Sequence, residues 1–316
     1  MEPLIATTGL GKTFGAVQAL ADVTLAVGAG RILGLLGHNG AGKTTLIDIL
    51  STRIPADTGT ALVCGWDVRE HGARVRRRIA VASQFTTLDD DLSGRDNLVL
   101  FARLLGATVR QARRRAGELL DVFGLADAAD LPVRGYSGGM RRRTDLAVCL
   151  LGRPDVLFLD EPSTGLDPVA CRQLWDMVKG LANTGITVVL TTQYLAEAEH
   201  LADEVAVLAL GRVVAAGTPA ELKRRIGTQT LTLTFADAWQ GDRAAGWLRQ
   251  AGHPGVADPL RATVVVPVAG GADVVSIIRL VGTAGFDVAD VRVTEPTLED
   301  VYLSLHTGQS PAVRVG

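Results

Sequence analysis

Short, uninterrupted apolar runs recur along the first two thirds of the chain, and most are separated by segments with apolar residues every three or four positions. The first clear run, residues 31–36, leads into a glycine-rich turn and then into the helical pattern of residues 43–50. Such runs are typical of strands buried on both faces of a parallel sheet that is covered by helices. The later runs are residues 79–82, 156–160, 187–190 and 205–208. The pattern therefore predicts an α/β core with a largely parallel sheet.

The segment between residues 98 and 150 has no strand pattern. It is rich in Leu, Ala and Arg at helical spacing, so we interpret it as a helical subdomain at about residues 86–150, inserted into the α/β core.

A strong helix start marks the predicted domain boundary. Thr218 suits an N-cap, Pro219 suits the first helical position, and Glu221 closes a capping box. A chain of 316 residues is also long for one domain. We therefore predict two domains, residues 1–222 and residues 223–316.

The second domain shows the pattern of a small α+β fold. Strands are predicted at residues 230–235, 256–259, 263–268 and 288–293, and helices at residues 242–250 and 274–280. This order, strand-helix-strand-strand-helix-strand, predicts a ferredoxin-like domain. Residues 296–306 are expected to form a closing helix, and the tail from Gly308 is expected to be flexible.

Composition narrows the class of protein. The formal charge of −2 argues against the broad positive surface that grips nucleic acid. Cys64, Cys149 and Cys171 are widely spaced, which favours reduced thiols in a cytosolic protein over a disulfide framework or a metal site. No stretch approaches the ~20 apolar residues of a membrane helix, and the N-terminus lacks a secretion signal. We expect a protein that is soluble on its own.

Residues 37–44, Gly-His-Asn-Gly-Ala-Gly-Lys-Thr, match the phosphate-binding pattern GxxxxGK[ST]. The glycines let consecutive backbone N–H groups point inward at a helix N-terminus, so the expected ligand is a polyphosphate. Lys43 is expected to neutralise the β- and γ-phosphates, and the Thr44 hydroxyl is expected to bind Mg²⁺. Kinases, GTPases, helicases and transporters share this pattern, so it indicates only a bound nucleotide.

Two further segments restrict the choice. Residues 136–140, Tyr-Ser-Gly-Gly-Met, lead into a predicted helix, and residues 156–161 form an apolar run that ends in Asp160 and Glu161. This combination resembles the ATP-binding cassette (ABC) family, whose signature sequence contains the Ser-Gly-Gly segment. The resemblance implies a P-loop NTPase fold, with an ABC ATPase domain in residues 1–222.

The two acidic residues are candidates for metal binding and catalysis. Asp160 lies at the C-terminal end of its strand, beside the first loop, where it can hold Mg²⁺ through water. Glu161 can orient or deprotonate an attacking water, which is the role that the resemblance implies for this position. The alternative for such a pair is a helix N-cap or a solvated loop.

The resemblance assigns roles to three more side chains. Gln84 resembles the Q-loop residue, which can reach Mg²⁺ or the water and sense a membrane partner. Phe14 matches the aromatic residue that stacks on adenine, with an ordinary core phenylalanine as the alternative. Gln193 stands where the family usually has histidine. Its amide can donate to the γ-phosphate but cannot titrate near neutral pH, so we expect it to position phosphate, or else to be a passive loop residue.

The resemblance also implies a homodimer, because in the family the signature segment of one subunit closes over ATP held by the other. Asp167 resembles a residue that crosses this interface and also suits a helix N-cap before Pro168. The three arginines at residues 141–143 are expected to form a solvated, partly interfacial helix face. The predicted nucleotide-binding residues are Phe14, Gly37, His38, Asn39, Gly40, Ala41, Gly42, Lys43, Thr44, Thr45, Gln84, Ser137, Gly138, Gly139 and Asp167. The predicted metal ligands are Thr44, Gln84 and Asp160, and the predicted catalytic residues are Glu161 and Gln193.

Residues 136–143, 191–195 and 295–302 are similar to the daunorubicin/doxorubicin-resistance type of ABC ATPase. This implies the ATP-hydrolysing subunit of an exporter, acting at the cytoplasmic face of the cell membrane on a separate permease that carries a hydrophobic drug or other amphiphile. The alternatives are a soluble ABC ATPase of nucleic-acid maintenance or translation, and a nucleotide sensor that does not hydrolyse ATP. The C-terminal domain is expected either to stabilise the dimer or to contact the partner.

Overall fold

The computed structural model describes residues 2–83, 88–226, 229–258 and 260–307. The chain divides into two compact units, Met1–Pro219 and Ala220–Gly316. The division lies close to the boundary expected at residue 222. The tail from Gly308, expected to be flexible, lies outside the described residues.

The N-terminal unit combines two sheets with helices. Its strands are β1 (Ile5–Phe14), β2 (Val17–Val27), β3 (Ile32–Leu36), β4 (Thr58–Val63), β5 (Trp66–Asp67), β6 (Ile79–Ala82), β7 (Val156–Asp160), β8 (Thr187–Thr192), β9 (Glu204–Ala209) and β10 (Arg212–Gly217). Its helices are α1 (Lys43–Leu50), α2 (Gly72–Arg76), α3 (Gly94–Leu104), α4 (Val109–Val122), α5 (Gly138–Cys149), α6 (Pro168–Asn183) and α7 (Leu195–Leu201), and α8 (Pro219–Ile226) begins at the division.

The central sheet has the strand order β10-β9-β3-β8-β7-β6. The strands from β9 to β6 are parallel, and β10 adds an antiparallel edge. Every residue of β3 and β8 is buried, as expected for central strands covered on both faces. The prediction of an α/β core with a largely parallel sheet is confirmed. Because β3, β7 and β8 are parallel neighbours, their carboxyl ends meet at one edge, where the site lies.

A second, antiparallel sheet, of order β2-β1-β4-β5, was not predicted from the sequence. It packs on α1, and Leu10, Leu20 and Val23 share a buried cluster with Leu46 and Ile47. The pairing of β1 with β2 has three register shifts between Thr7 and Thr13. These irregularities break the strict alternation of apolar and polar residues by which such strands are recognised.

The segment from Leu98 to Leu150 contains no strand in the structure, in agreement with its helical pattern. The helices α3, α4 and α5 begin at side-chain caps, including a complete capping box between Thr108 and Gln111. Leu98, Leu120 and Phe123 join one buried cluster with residues of β7 and β8. The helices are therefore anchored to the sheet that carries the acidic pair.

The C-terminal unit contains β11 (Gln229–Phe235), α9 (Ala238–Gln250), β12 (Val256–Asp258), β13 (Thr263–Val268), α10 (Gly271–Thr283), β14 (Val288–Thr294) and α11 (Leu298–Thr307). Its four strands are antiparallel in the order β12-β13-β11-β14. Alternate residues of β11 and β13, such as Leu231, Leu233 and Val266, pack with Leu248 of α9 and Ile277 of α10. One face of this sheet is thereby covered by helices.

Candidate nucleotide site

The turn between β3 and α1 has a backbone that requires glycine. Gly40 and Gly42 have φ angles of 82° and 105°, in the left-handed region. A Cβ on Gly42 would lie 2.5 Å from the carbonyl oxygen of Ala19, and one on Gly37 would lie 2.5 Å from that of Leu208. The turn is therefore pressed against the backbones of β2 and β9, which fixes the cradle of N–H groups at the start of α1.

Lys43, the first residue of α1, directs its ammonium group back into this turn. Its Nζ donates to the carbonyl oxygens of Gly37 at 2.6 Å and His38 at 3.2 Å, and it lies 3.8 Å from Glu161 Oε1. Burial lowers the pKa of Lys43, and the carboxylates of Glu161 and Asp160 act in the opposite direction. A positive charge is thus held in the phosphate cradle, next to both acidic residues.

Asp160, at the end of β7, has two hydroxyl groups beside its carboxylate. Thr44 Oγ1 lies 3.4 and 3.3 Å from its two oxygens, and Thr191 Oγ1 donates to Oδ1 at 2.5 Å. Hydroxyl and carboxylate oxygens suit Mg²⁺, which usually takes few protein ligands and fills its shell with phosphate and water oxygens. The residues present fit Mg²⁺ bound together with a nucleotide.

Glu161 adopts an unusual backbone conformation, with a φ of 46° in the left-handed region. Its N–H is held by Thr191, 3.2 Å from the carbonyl oxygen and 2.9 Å from Oγ1. On its side chain, Oε2 accepts from Thr164 Oγ1 at 3.2 Å and from Gln193 Nε2 at 3.5 Å. Strained residues of this kind persist where their surroundings hold them, and they cluster at functional sites. Here β8 holds the backbone while Lys43, Thr164 and Gln193 surround the carboxylate.

A cleft of about 250 Å³ opens over this arrangement. It is lined by Val17, Ala19, His38, Asn39, Gly40, Gly42, Lys43, Thr44, Thr45 and Glu161. Of the other loop residues predicted to bind nucleotide, Gly37 holds Lys43 through its carbonyl, and Ala41 is fully buried. The structure therefore brings most of the predicted phosphate-binding residues to one cleft.

Phe14, the predicted adenine-stacking residue, ends β1 but does not line this cleft. Its side chain is 50% exposed, which does not fit the alternative of a core phenylalanine. The ammonium of Lys12 lies 5.4 Å from the ring centroid. Phe14 is therefore half-exposed at the end of β1, with the Lys12 ammonium over its ring.

The signature residues lie at the N-terminus of α5, and Asp167 lies at the N-terminus of α6. Ser137 caps α5 by accepting from the N–H of Met140 at 3.2 Å. Asp167 caps α6 through the N–H groups of Val169 and Ala170, both at 2.9 Å, and these bonds lower the pKa of its carboxyl. The described residues that line the cleft include neither Asp167 nor any of residues 137–139. Gln84 lies outside the described residues.

Sequence reasoning missed a buried charge behind the acidic pair. Arg142 was expected on a solvated face, but its side chain is 8% exposed. Its Nε donates to the carbonyl oxygen of Pro162 at 3.0 Å, and its Nη1 donates to that of Ser83 at 2.9 Å. Arg142 thus links the signature helix α5 to the residue after Glu161 and to the last described residue before Gln84.

Glu197 of α7 is the second buried charge that was missed. It is fully buried, and its Oε1 accepts from the hydroxyl of Ser163 and from Trp175 Nε1, the latter at 3.0 Å. Burial raises the pKa of Glu197 and lowers that of Arg142. Residues 162 and 163, which follow Glu161, are therefore held by buried groups of opposite charge. No local pattern signals this network, because its members come from five separate segments.

The three cysteines are free thiols. Burial raises the pKa of Cys149 to about 12, so this thiol stays protonated at neutral pH. The expectation of reduced cysteines agrees with this environment.

Comparison with known proteins shows the family to which this chain belongs. A family model described as ABC transporter matches residues 20–164, which include the cradle, the signature and the acidic pair. A daunorubicin resistance ATP-binding protein of Streptomyces coeruleorubidus, DrrA3, is 44% identical over 98% of this chain and 98% of its own length. The chain belongs to the ABC transporter family. The resemblance to the daunorubicin/doxorubicin-resistance type of ABC ATPase is confirmed, and the chain binds and hydrolyses ATP.

Two further relatives are also named as ATP-binding proteins. A daunorubicin/doxorubicin resistance ATP-binding protein of Streptomyces peucetius is 50% identical over 74% of this chain and 71% of its own length. A Nod factor export ATP-binding protein of Ralstonia nicotianae is 42% identical over 70% of this chain and 68% of its own. The solved ATP-binding subunit of an ABC transporter is 29% identical, with a TM-score of 0.62 over 70% of this chain and 92% of that one. This protein therefore shares the fold of that solved ATP-binding subunit over 70% of its length.

Proposed function

We propose that this protein is the ATP-hydrolysing subunit of an exporter and powers efflux of a hydrophobic drug or other amphiphile through a separate membrane permease. The observation that carries the proposal is the 44% identity over 98% of both chains with a protein named for daunorubicin resistance. The relative named for Nod factor export indicates that export recurs within the family. The alternative role in nucleic-acid maintenance or translation is not favoured by these relatives.

We assign phosphate and metal binding to the residues at the sheet edge. The N–H groups of the turn and the Lys43 ammonium bind the β- and γ-phosphates, while Thr44 and Asp160 hold Mg²⁺. Bound there, Mg²⁺ would neutralise charge on the phosphate oxygens. Lys43 has three polar neighbours within 3.8 Å, which hold its charge in the turn. Gln84 is proposed as a further ligand near the metal.

Glu161 is the proposed catalytic base. Its carboxylate orients the attacking water and accepts its proton, and it lies beside Lys43, where the phosphate charge is neutralised. Gln193 is proposed to donate an amide hydrogen to the γ-phosphate. Its contact with Glu161 supports this placement, because Gln193 Nε2 lies 3.5 Å from the carboxylate of a residue that lines the phosphate cleft.

The complete site is proposed to need two copies of the chain. Ser137, Gly138 and Gly139 present the N-terminus of α5, a second group of N–H donors suited to phosphate. They lie outside the lining of the protomer's own cleft, so we propose that they close over ATP held by a partner copy, with Asp167 crossing the interface. Phe14 is proposed to stack on adenine.

We place the protein peripherally at the cytoplasmic face of the cell membrane, bound to its permease. In the described ranges no helix has the length and apolar character needed to cross a bilayer. The permease, which contacts the transported molecule, would set the substrate.

The test is drug accumulation in a drug-sensitive bacterium that produces this chain together with its permease. We expect lower daunorubicin accumulation with the natural chain, and no effect with Glu161→Gln produced at the same level. Purified Glu161→Gln should lose at least ~100-fold of ATP turnover while still binding ATP, because only the base is changed. Unchanged turnover would contradict the role of Glu161. Unchanged accumulation of every amphiphile tested, with an active ATPase bound to the permease, would contradict drug export.

A further inference from the structure

The last strand of the C-terminal unit lies at the edge of its sheet. β14 ends the strand order of its sheet and pairs with β11 on one side. Apart from Val288 every residue of β14 is exposed, including the apolar Val291 and Val293 at 40% and 44%. Within the described residues no strand covers the other side. An uncovered strand edge is a template for pairing with another chain.

The orientation of one backbone amide shows which residues of β14 direct their N–H and C=O groups away from β11. The N–H of Val291 donates to Asp290 Oδ1 at 2.9 Å, a local contact outside the ladder with β11. Because alternate residues of a strand direct their N–H and C=O groups to opposite sides, Val293 presents its backbone to the same free edge. The Asp290 carboxylate accepts the Val291 N–H hydrogen bond that a carbonyl oxygen of a neighbouring strand would otherwise accept.

The sequence of β14 is complementary to itself when it runs antiparallel. The regular part of β14 runs from Asp290 to Thr294, and a pairing centred on Val291 places Asp290 opposite Arg292 twice. Two residues that face each other must both be hydrogen-bonded or both be non-hydrogen-bonded, so one strand can slide past the other only by two residues at a time. Each such slide moves the centre of the pairing by one residue. Centring on Arg292 or on Asp290 would put like charges directly opposite each other, which is destabilising. Of these three registers, only the one centred on Val291 places opposite charges face to face.

We propose that β14 pairs with β14 of a second copy of this chain, antiparallel and centred on Val291, so that the two C-terminal sheets form one continuous sheet. Such a contact has two-fold symmetry, as expected of a homodimer. It goes beyond the proposed ATP-bound dimer because it uses residues of the C-terminal unit and needs no nucleotide. One pair of seven-residue strands is small compared with a standard interface of ~1,600 Å², so the contact is weak on its own.

The first test is disulfide cross-linking of the full chain without nucleotide. In the proposed register Val291 faces its own copy, with Cα atoms ~5.5 Å apart, within the range that a disulfide spans. Val291→Cys should form covalent dimers at least about tenfold faster than Val275→Cys, a control on α10 that is 55% exposed. Mass spectrometry would identify the linked peptides. Equal rates would overturn the contact, and faster linking of Val293→Cys would overturn the register.

The second test reverses the charges in the Val291→Cys protein. Asp290→Arg or Arg292→Asp alone places like charges opposite each other twice, and should slow cross-linking by about tenfold. Mixing the two variants restores opposite charges between unlike copies, so the mixture should link as fast as the parent. A mixture as slow as each variant alone would overturn the pairing. ATP turnover, which tests the proposed function, should be unchanged in both variants, so the two proposals fail separately.

Discussion

At the scale of single residues, Glu161 is fixed by contacts that can be changed one at a time. Its strained backbone is held by Thr191, and its carboxylate lies within reach of Lys43 and of the amide of Gln193. The family position usually occupied by histidine is thus filled by a side chain that can donate a hydrogen bond but carries no charge.

Gln193 is therefore expected to contribute through hydrogen bonding. Gln193→Ala should lower steady-state ATP turnover by about tenfold, the effect of losing one hydrogen bond to a charged group. Gln193→His should recover most of the turnover, because an imidazole N–H can replace the amide. Glu161→Gln serves as the inactive reference in the same assay. Full turnover in Gln193→Ala would instead support the passive-loop interpretation.

Glu197 gives a prediction about pH and stability. Its pKa is raised by burial, so the folded protein holds a proton on Glu197 at pH values where the unfolded chain has released it. The contribution of Glu197 to stability therefore falls as the pH rises from its ordinary pKa of 4.5 to its raised folded value. Urea unfolding should show Glu197→Gln gaining stability relative to the natural chain as pH rises through this window. A pH-independent difference, or one of opposite sign, would contradict the buried carboxylate. The exposed Glu199→Gln is the matched control.

At the scale of elements, the turn that opens α1 depends on its neighbours as well as on its own sequence. Gly40 and Gly42 both have positive φ, but only Gly42 lies against another backbone, that of Ala19 in β2. The antiparallel sheet thereby helps to shape the phosphate cradle of the parallel sheet.

Two alanine substitutions separate the cost of a positive φ from the cost of contact with β2. Gly40→Ala carries the strain of positive φ, about 1 kcal/mol, because its Cβ would meet nothing within 4 Å. Gly42→Ala adds a Cβ 2.5 Å from the carbonyl oxygen of Ala19, so it should cost ~3 kcal/mol or more. Thermal unfolding without nucleotide would measure both. Equal costs would show that β2 can move away, and that the cradle is not shaped by it.

The elements that could be predicted are those whose signals are local. Runs buried on both faces identified β3, β7 and β8, and their parallel arrangement places Lys43 beside Asp160 and Glu161. The strands β1 and β2 escaped prediction because their register shifts disturb the alternation of side chains. Arg142 escaped because it belongs to a run of arginines on a helix, and its burial comes from contacts with Pro162 and Ser83, distant in sequence. Tertiary contacts of this kind produce no periodic pattern of apolar and polar residues in the sequence.

At the scale of the whole molecule, the chain carries two helix N-termini that are proposed to bind phosphate, and the described residues of one do not line the cleft of the other. The N-terminus of α1 lies in the cleft with Glu161, whereas the lining contains no residue of the α5 cap among those described. An ATP-dependent dimer would place one N-terminus of each kind in every nucleotide site. A substitution at the start of α5 should abolish this ATP-dependent dimer without affecting the fold.

Gly138→Glu provides this test in the Glu161→Gln protein, which should hold ATP without turning it over. A Cβ on Gly138 would meet Leu166 at an ordinary 3.5 Å, and an acidic residue suits a helix N-terminus, so the fold should be kept. The added carboxylate would repel the phosphates of ATP bound to the partner. We expect normal ATP binding but no nucleotide-dependent increase in dimer mass, measured by light scattering. The control Gly117→Glu, on α4 with open space around it, should dimerise as the parent does. If Gly138→Glu dimerises with ATP as readily as this control, the α5 cap of one copy does not close over the nucleotide of the other.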